Sequence, residues 1–241
     1  MKSLCLSLSA TLCCVLLLAP VSATADEPGP QARRIILVGD STVASGGGWG
    51  DAFAKLLEPK ADCLNRGFNG RSSKSYRDED HWQKVLDAKP AWVFIQFGHN
   101  DQPGKGPKLE TDPKTTFREN LVRCIADVRA IGAKPVLVTS LTRRNFDANG
   151  KIKTDGLAAY VEATKSIAAD QKVPLIDLSA RSIAQMNQLG PEAALAFDEK
   201  SKDPAKPDKT HLSAKGAADT AKLVAEEIRK NVPELAGILR P

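Results

Sequence analysis

Asp208-Lys209-Thr210-His211 places a carboxylate three residues before an imidazole, in a chain that has three histidines in all. That spacing lets Asp208 turn back onto Nδ1 of His211, hold one tautomer and stabilise an imidazolium. Nε2 is then left to take a proton from a nucleophile. A serine hydroxyl needs such a base within hydrogen-bond reach, and Ser41, in Gly39-Asp40-Ser41-Thr42, is the candidate. Acyl transfer builds negative charge on a carbonyl oxygen, which preorganised donors must hold. Gly70 can offer a backbone N–H with no side chain in the way, Asn100 a side-chain amide, and Ser41 its own N–H. Singly these signals are weak. Gly-Asp-Ser occurs in many turns, polar residues after a strand ordinarily cap the next helix, and an Asp or His in a loop is ordinarily just solvated. Of the other histidines, His81 beside Trp82 reads as structural, and His99 sits inside the turn Gly98-His99-Asn100-Asp101.

Turns of this kind need strands to present them. Ile35–Val38, Ala91–Phe97, Pro135–Thr139 and Val173–Ile176 are short apolar runs with the form of buried parallel strands. Ala61–Asn65 is weaker and more polar, as suits an edge strand. Between them run helical patterns. From Pro113, apolar residues recur at Phe117, Leu121, Cys124, Ile125, Val128 and Ile131, with Asp112-Pro113 expected to open the helix. Leu157, Val161, Thr164 and Ala168 trace a second helix with Asp155 near its start. Ser213 is the expected cap of a last one, striped by Ala217, Ala221, Val224, Ala225 and Ile228. Strands alternating with helices predict a parallel α/β sheet covered on both faces. Such sheets bind ligands beyond the carboxyl ends of their strands, where Ser41, Gly70 and Asn100 all fall.

The chain has 241 residues, 42% hydrophobic and 26% charged, with a net charge of +5. That composition excludes collagen-like and wholly disordered chains. The basic residues are interspersed, without the clustered stripe of a nucleic-acid binder, so nucleic acid is not an expected partner. The N-terminus differs from the rest. Lys2, an apolar run through Leu12–Ala19 and Ala23-Thr24-Ala25 have the three-part form of a secretory signal peptide. Residues 1–25 are expected to be removed, 26–33 to form a disordered leader, and 34–241 to form one domain, secreted or periplasmic and without a membrane anchor. Three of the five cysteines depart with the signal. Cys63 and Cys124 remain, too few for a disulfide framework, and Cys124 is expected to pack as a small hydrophobe on its helix.

Taken together and in order, four blocks resemble the SGNH/GDSL hydrolases, and among them the rhamnogalacturonan acetylesterases. They are Gly39-Asp40-Ser41-Thr42, Asn69-Gly70-Arg71-Ser72-Ser73-Lys74-Ser75-Tyr76, Phe97-Gly98-His99-Asn100-Asp101 and Asp208-Lys209-Thr210-His211-Leu212-Ser213. The likeness extends to Gly48-Trp49-Gly50 and Gly132-Ala133-Lys134. It implies a flavodoxin-like three-layer α/β/α sandwich on a five-stranded parallel sheet in the order 2-1-3-4-5. It implies Ser41 as nucleophile, His211 and Asp208 as base and acid, and Ser41, Gly70 and Asn100 as the oxyanion hole. It also implies removal of O-acetyl groups from a plant cell-wall polysaccharide, pectic rhamnogalacturonan, with no metal or cofactor. Thr142–Gly156 and Gly190–Pro207 are less typical and are expected to line the substrate groove. Arg71, Arg143 and Arg144 are candidate contacts to a uronate-bearing polymer, although a solvated charged loop is the commoner reason for such residues.

Three other readings compete. A lipid-type esterase or lysophospholipase of the same fold needs an acyl-chain pocket, and aromatics are only 5% of the chain. A metal-dependent phosphoesterase would use Asp40, His99, Asp101, Asp208 and His211 as ligands, leaving Ser41 and Gly70 without a role. A secreted carbohydrate-binding protein would retain the fold without turnover, though every role in the family's site is filled here. Three Trp and two Tyr also make few sugar-binding platforms.

Overall fold

The computed structural model describes residues 34–201, 203 and 205–240. The expected signal peptide and leader lie outside the described residues. Five parallel strands, β1 (Arg34–Gly39), β2 (Asp62–Asn65), β3 (Trp92–Gln96), β4 (Lys134–Val138) and β5 (Leu175–Ile176), form one sheet in the order β2-β1-β3-β4-β5. Each apolar run becomes a strand because it buries both of its faces. In β1, Ile35 and Leu37 enter one core with Trp49, Phe53, Val224 and Ile228. Ile36 and Val38 enter the other with Phe117, Leu121, Cys124 and Tyr160. The alternation is that of a strand's side chains, and β3 and β4 repeat it: Phe94 and Val136 face the first core, Ile95 and Leu137 the second. Each such side chain contributes roughly 1.5–3 kcal/mol by leaving water. The more polar β2 is half-buried at the edge.

Helices α1 (Gly50–Ala54) and α7 (Ala214–Asn231) cover the first face. Helices α2 (Ser75–Asp78), α3 (His81–Asp87), α4 (Thr116–Ala130) and α5 (Leu157–Gln171) supply the second. Ser213 caps α7 as expected, its Oγ accepting from Gly216 N, and Leu157 N donates to Asp155 at the start of α5 (2.8 Å). Asp112-Pro113 does not open α4. Asp112 instead closes an Asx-turn onto Lys114 N (2.7 Å), and the helix begins three residues after the proline. Helix α6 (Leu178–Ala194), which breaks at Gly190 ahead of Pro191, occupies ground expected in part to be loop. After it, β6 (Asp198–Glu199) and β7 (Asp208–Leu212) pair as a separate antiparallel ribbon. Cys63 and Cys124 are free thiols on opposite faces of the sheet. Burial, their largest influence, pushes them up to about 12 and about 11. No helix among the described residues is long and apolar enough to cross a membrane.

Strand order and chain order together mark the switch point at which open parallel sheets take ligands. From β1 the chain moves to β2 on one side and then to β3 on the other, so the switch point lies at the carboxyl ends of β1 and β3. Ser41 follows β1, and Asn100 follows β3.

Candidate active site

Ser41 sits on a turn tied down from below. Main-chain N–H groups of Val43 and Ala44 donate to Asp40 O at 3.1 and 3.0 Å. Asp40 Oδ1 accepts from Thr42 N (2.9 Å) and Thr42 Oγ1 (2.7 Å). Thr42 Oγ1 in turn accepts from Gln96 Nε2 (2.6 Å), and Gln96 Oε1 from Trp49 Nε1 (3.0 Å). All four residues are buried, so these bonds lock the Ser41 turn to β3. Gly39 makes the approach possible: a Cβ there would lie 2.6 Å from Gln96 O.

His211 comes from β7. Its Nε2 lies 2.8 Å from Ser41 Oγ and its Nδ1 2.7 Å from Asp208 Oδ2. An ionised carboxylate only accepts, so Nδ1–H donates to Asp208 and bare Nε2 accepts from the serine hydroxyl. Asp208 Oδ1 also accepts the main-chain N–H groups of Thr210 (3.0 Å) and His211 (2.9 Å). Partial burial pushes the Asp208 carboxyl up, but the donors from His211 and Thr210 outweigh it and hold the group below the usual carboxylate range.

The second and third turns meet each other. Gly70 adopts φ +73°, a conformation open to glycine at little cost, and it is exposed. Asn100 Nδ2 donates to Arg71 O (3.1 Å), joining the turn after β3 to the one after β2. A second amide hydrogen of Asn100 remains for another acceptor. Below, Asp101 is buried and accepts from Ser73 N (3.1 Å), Ser73 Oγ (2.5 Å) and Thr111 Oγ1 (3.0 Å).

The three arginines separate. Arg71 lies over the Phe68 ring (4.6 Å) and pairs with Glu79 (2.7 Å), next to Gly70. Arg143 bridges Asp155 (2.8 Å) and Gln102 Oε1 (2.6 Å). Arg144 corrects the expectation of a substrate contact. It is 3% exposed, pairs with Asp198, and donates to the carbonyls of Asp208 and His211. Its charge is used to brace the ribbon.

His81 stacks between Phe68 (4.1 Å) and Tyr76 (5.3 Å). His99 is buried, Nδ1 3.5 Å from Asp40 Oδ2, and neither ring nitrogen has a hydrogen-bond partner among the described residues. Sequence reasoning missed the Gln96 and Arg144 roles. A lone amide at the end of the apolar run Trp92–Ile95 was the available signal for the first. Among the described residues, no three His, Cys, Asp or Glu side chains converge as a metal ion would need.

The sequence pattern of the GDSL-like Lipase/Acylhydrolase family matches residues 37–218. The chain belongs to this family. Among its relatives is a probable rhamnogalacturonan acetylesterase, YesY of Bacillus subtilis, 37% identical over 208 residues that span 83% of this chain and 94% of that one. Rhamnogalacturonan acetylesterase RhgT of the same organism is 36% identical over 213 residues, 82% and 90% of the two chains. In fold the protein is similar to protein YxiM of B. subtilis (TM-score 0.71, 24% identity), covering 82% of this chain and 56% of that one. It is also similar to an acetylxylan esterase from Geobacillus stearothermophilus (TM-score 0.64, 19% identity; 81% and 94%). The fold is the SGNH three-layer α/β/α sandwich, and the protein is a carboxylic ester hydrolase.

Proposed function

We propose that the protein removes O-acetyl groups from a plant cell-wall polysaccharide, rhamnogalacturonan by likeness to YesY and RhgT, and that it is exported by cleavage of residues 1–25. The observation that carries the reading is the unbroken run of contacts Asp208–His211–Ser41, at 2.7 and 2.8 Å. In this reading His211 Nε2 takes the Ser41 proton as Oγ attacks the acetyl carbonyl. The oxyanion is received by the N–H groups of Ser41 and Gly70 and the Asn100 amide. His211 returns the proton to the departing sugar oxygen, leaving acetyl on Ser41. Water, deprotonated by His211, then attacks the acyl-enzyme, and acetate leaves as Ser41 regains its proton.

The test is hydrolysis of a chromogenic acetate ester. Ser41→Ala is expected to fall to background and Asn100→Ala to lose about 10²–10³ in kcat, with both proteins folded by circular dichroism. Near-wild-type turnover by Ser41→Ala would remove the proposed mechanism. An octanoyl ester in the same assay, if preferred over acetyl, would favour the lipid-esterase reading.

A further inference from the structure

Among the described residues, the buried side-chain polar atoms left without a hydrogen bond are Asp40 Oδ2 and the two ring nitrogens of His99. They belong to one contact. Asp40 is 0% and His99 4% exposed, and His99 Nδ1 lies 3.5 Å from Asp40 Oδ2. A carboxylate withdrawn from water needs a partner, and His99 is the side chain that meets Oδ2. Burial pushes the Asp40 carboxyl up, but the His99 imidazole and the Thr42 donors outweigh it and hold the group below the usual carboxylate range. A second carboxylate, Asp101, is close enough to feel this charge. Asp101 takes its own donors from Ser73 and Thr111.

The pair stands where the backbone ladder stops. Strands β1 and β3 stay in register as far as Gly39 and Gln96, and beyond that point side chains join the two turns. Gln96 Nε2 reaches Thr42 Oγ1 (2.6 Å), and His99 reaches Asp40. Asp40 immediately precedes Ser41, and His99 immediately precedes Asn100. The contact therefore runs between the neighbour of the proposed nucleophile and the neighbour of the proposed oxyanion amide. The other ties of the Asn100 turn lead away from Ser41. Asn100 Nδ2 donates to Arg71 O (3.1 Å), and the Tyr160 hydroxyl, from α5, donates to Asp101 O (2.9 Å).

We infer that His99 is a positioning residue for ester hydrolysis: its Nδ1–H is directed at Asp40 Oδ2 and holds the Asn100 turn at a set distance from Ser41. The inference rests on the acetylesterase reading above and adds to it a link between the two sides of the oxyanion hole. At 3.5 Å the contact is longer than a full hydrogen bond. Contacts at reacting sites are often long in the free enzyme and tighten as the transition state forms. The Asp208–His211 contact, at 2.7 Å, is already closed. An oxyanion that draws the Ser41 N–H and the Asn100 amide toward itself brings their two turns together and closes the gap between Asp40 and His99. An interaction that strengthens only then raises kcat and leaves KM nearly unchanged.

The experiment has two arms. Heteronuclear NMR of wild type with isotope-labelled histidine reads the tautomer of each ring, and the chain has three histidines to assign. His99 is expected to carry a hydrogen on Nδ1, and a bare Nδ1 would overturn the inference. The second arm is steady-state hydrolysis of a chromogenic acetate ester. His99→Leu, apolar and of similar size, is expected to lower kcat about ten- to a hundredfold with KM near wild type. His99→Asn, whose amide N–H can stand in for Nδ1–H, is expected to recover most of that loss. Asp40→Asn, which keeps an acceptor for Thr42, is expected to cost far less kcat beside His99→Leu than alone, because the two residues share one contact. Unchanged kcat in His99→Leu, a change confined to KM, an equal loss in His99→Asn, or additive losses from the two positions would overturn the role. The tautomer is read on wild type, so it decides even if His99→Leu does not fold. Failure of wild type to cleave the chromogenic ester would instead overturn the acetylesterase reading.

Discussion

At the scale of single residues, the candidate site rests on carboxylates that differ in role because their surroundings differ. Asp208 is met by three hydrogen-bond donors and stays ionised. Asp101, one residue beyond Asn100, is buried against Ser73 and Thr111. Burial is its largest influence and pushes its carboxyl up to about 7, with Asp40 adding to the rise and the Ser73 and Thr111 donors opposing it. The folded protein thus holds a proton on Asp101 that an unfolded chain, with an ordinary value near 3.8, releases. That preference stabilises the fold fully below pH 3.8 and is lost as pH rises through about 7. The expected outcome is a melting-temperature difference between wild type and Asp101→Asn that moves against wild type from pH 4 to pH 8. A difference that stays constant across that range would mean Asp101 titrates normally.

At the scale of elements, the nucleophile and the base arrive on different supports. Ser41 belongs to the sheet, and His211 to the β6–β7 ribbon, which Arg144 ties down through Asp198 and the carbonyls of Asp208 and His211. Breaking so buried a pair strands Asp198 and costs about 3 kcal/mol. Arg144→Ala is therefore expected to lower urea stability by that order. Its kcat on a chromogenic acetate should also fall, while KM stays near wild type. Arg144→Lys should rescue little, because an ammonium cannot span the same acceptors. The opposite result, full activity at wild-type stability, would make Arg144 dispensable. These supports were unequally legible in sequence. The strands and α4 were legible because burial on both faces, or on one stripe, leaves a periodic trace. Ser213 showed as a cap because its chemistry is local. Helix α6 showed poorly, because buried Ser179 and Ser182 dilute its stripe and Gly190-Pro191 resembles a loop. Nothing near Arg144 in the chain marks it as buried, since Asp198 lies 54 residues away.

At the scale of the whole molecule, parallel strands place three distant turns at one rim. That is why four short blocks spread over most of the chain could be read as one site. Their order was visible in sequence, but their closeness was not. It depends on the switch of direction between β1 and β3 and on the bonds from Gln96 and Trp49 that anchor the first turn. The proposed export is tested at this scale too. Expressed with residues 1–25 in a secreting host, the protein is expected outside the cytoplasm with Asp26 as its first residue on N-terminal sequencing. Recovery of the chain from the cytoplasm still beginning at Met1 would refute that expectation.

The carboxylate and the imidazole that it orients lie three positions apart, joined by bonds that close within Asp208–His211 itself. Such a unit is portable. Changes of sequence outside those four residues can leave the bonds from Asp208 to His211 as they are.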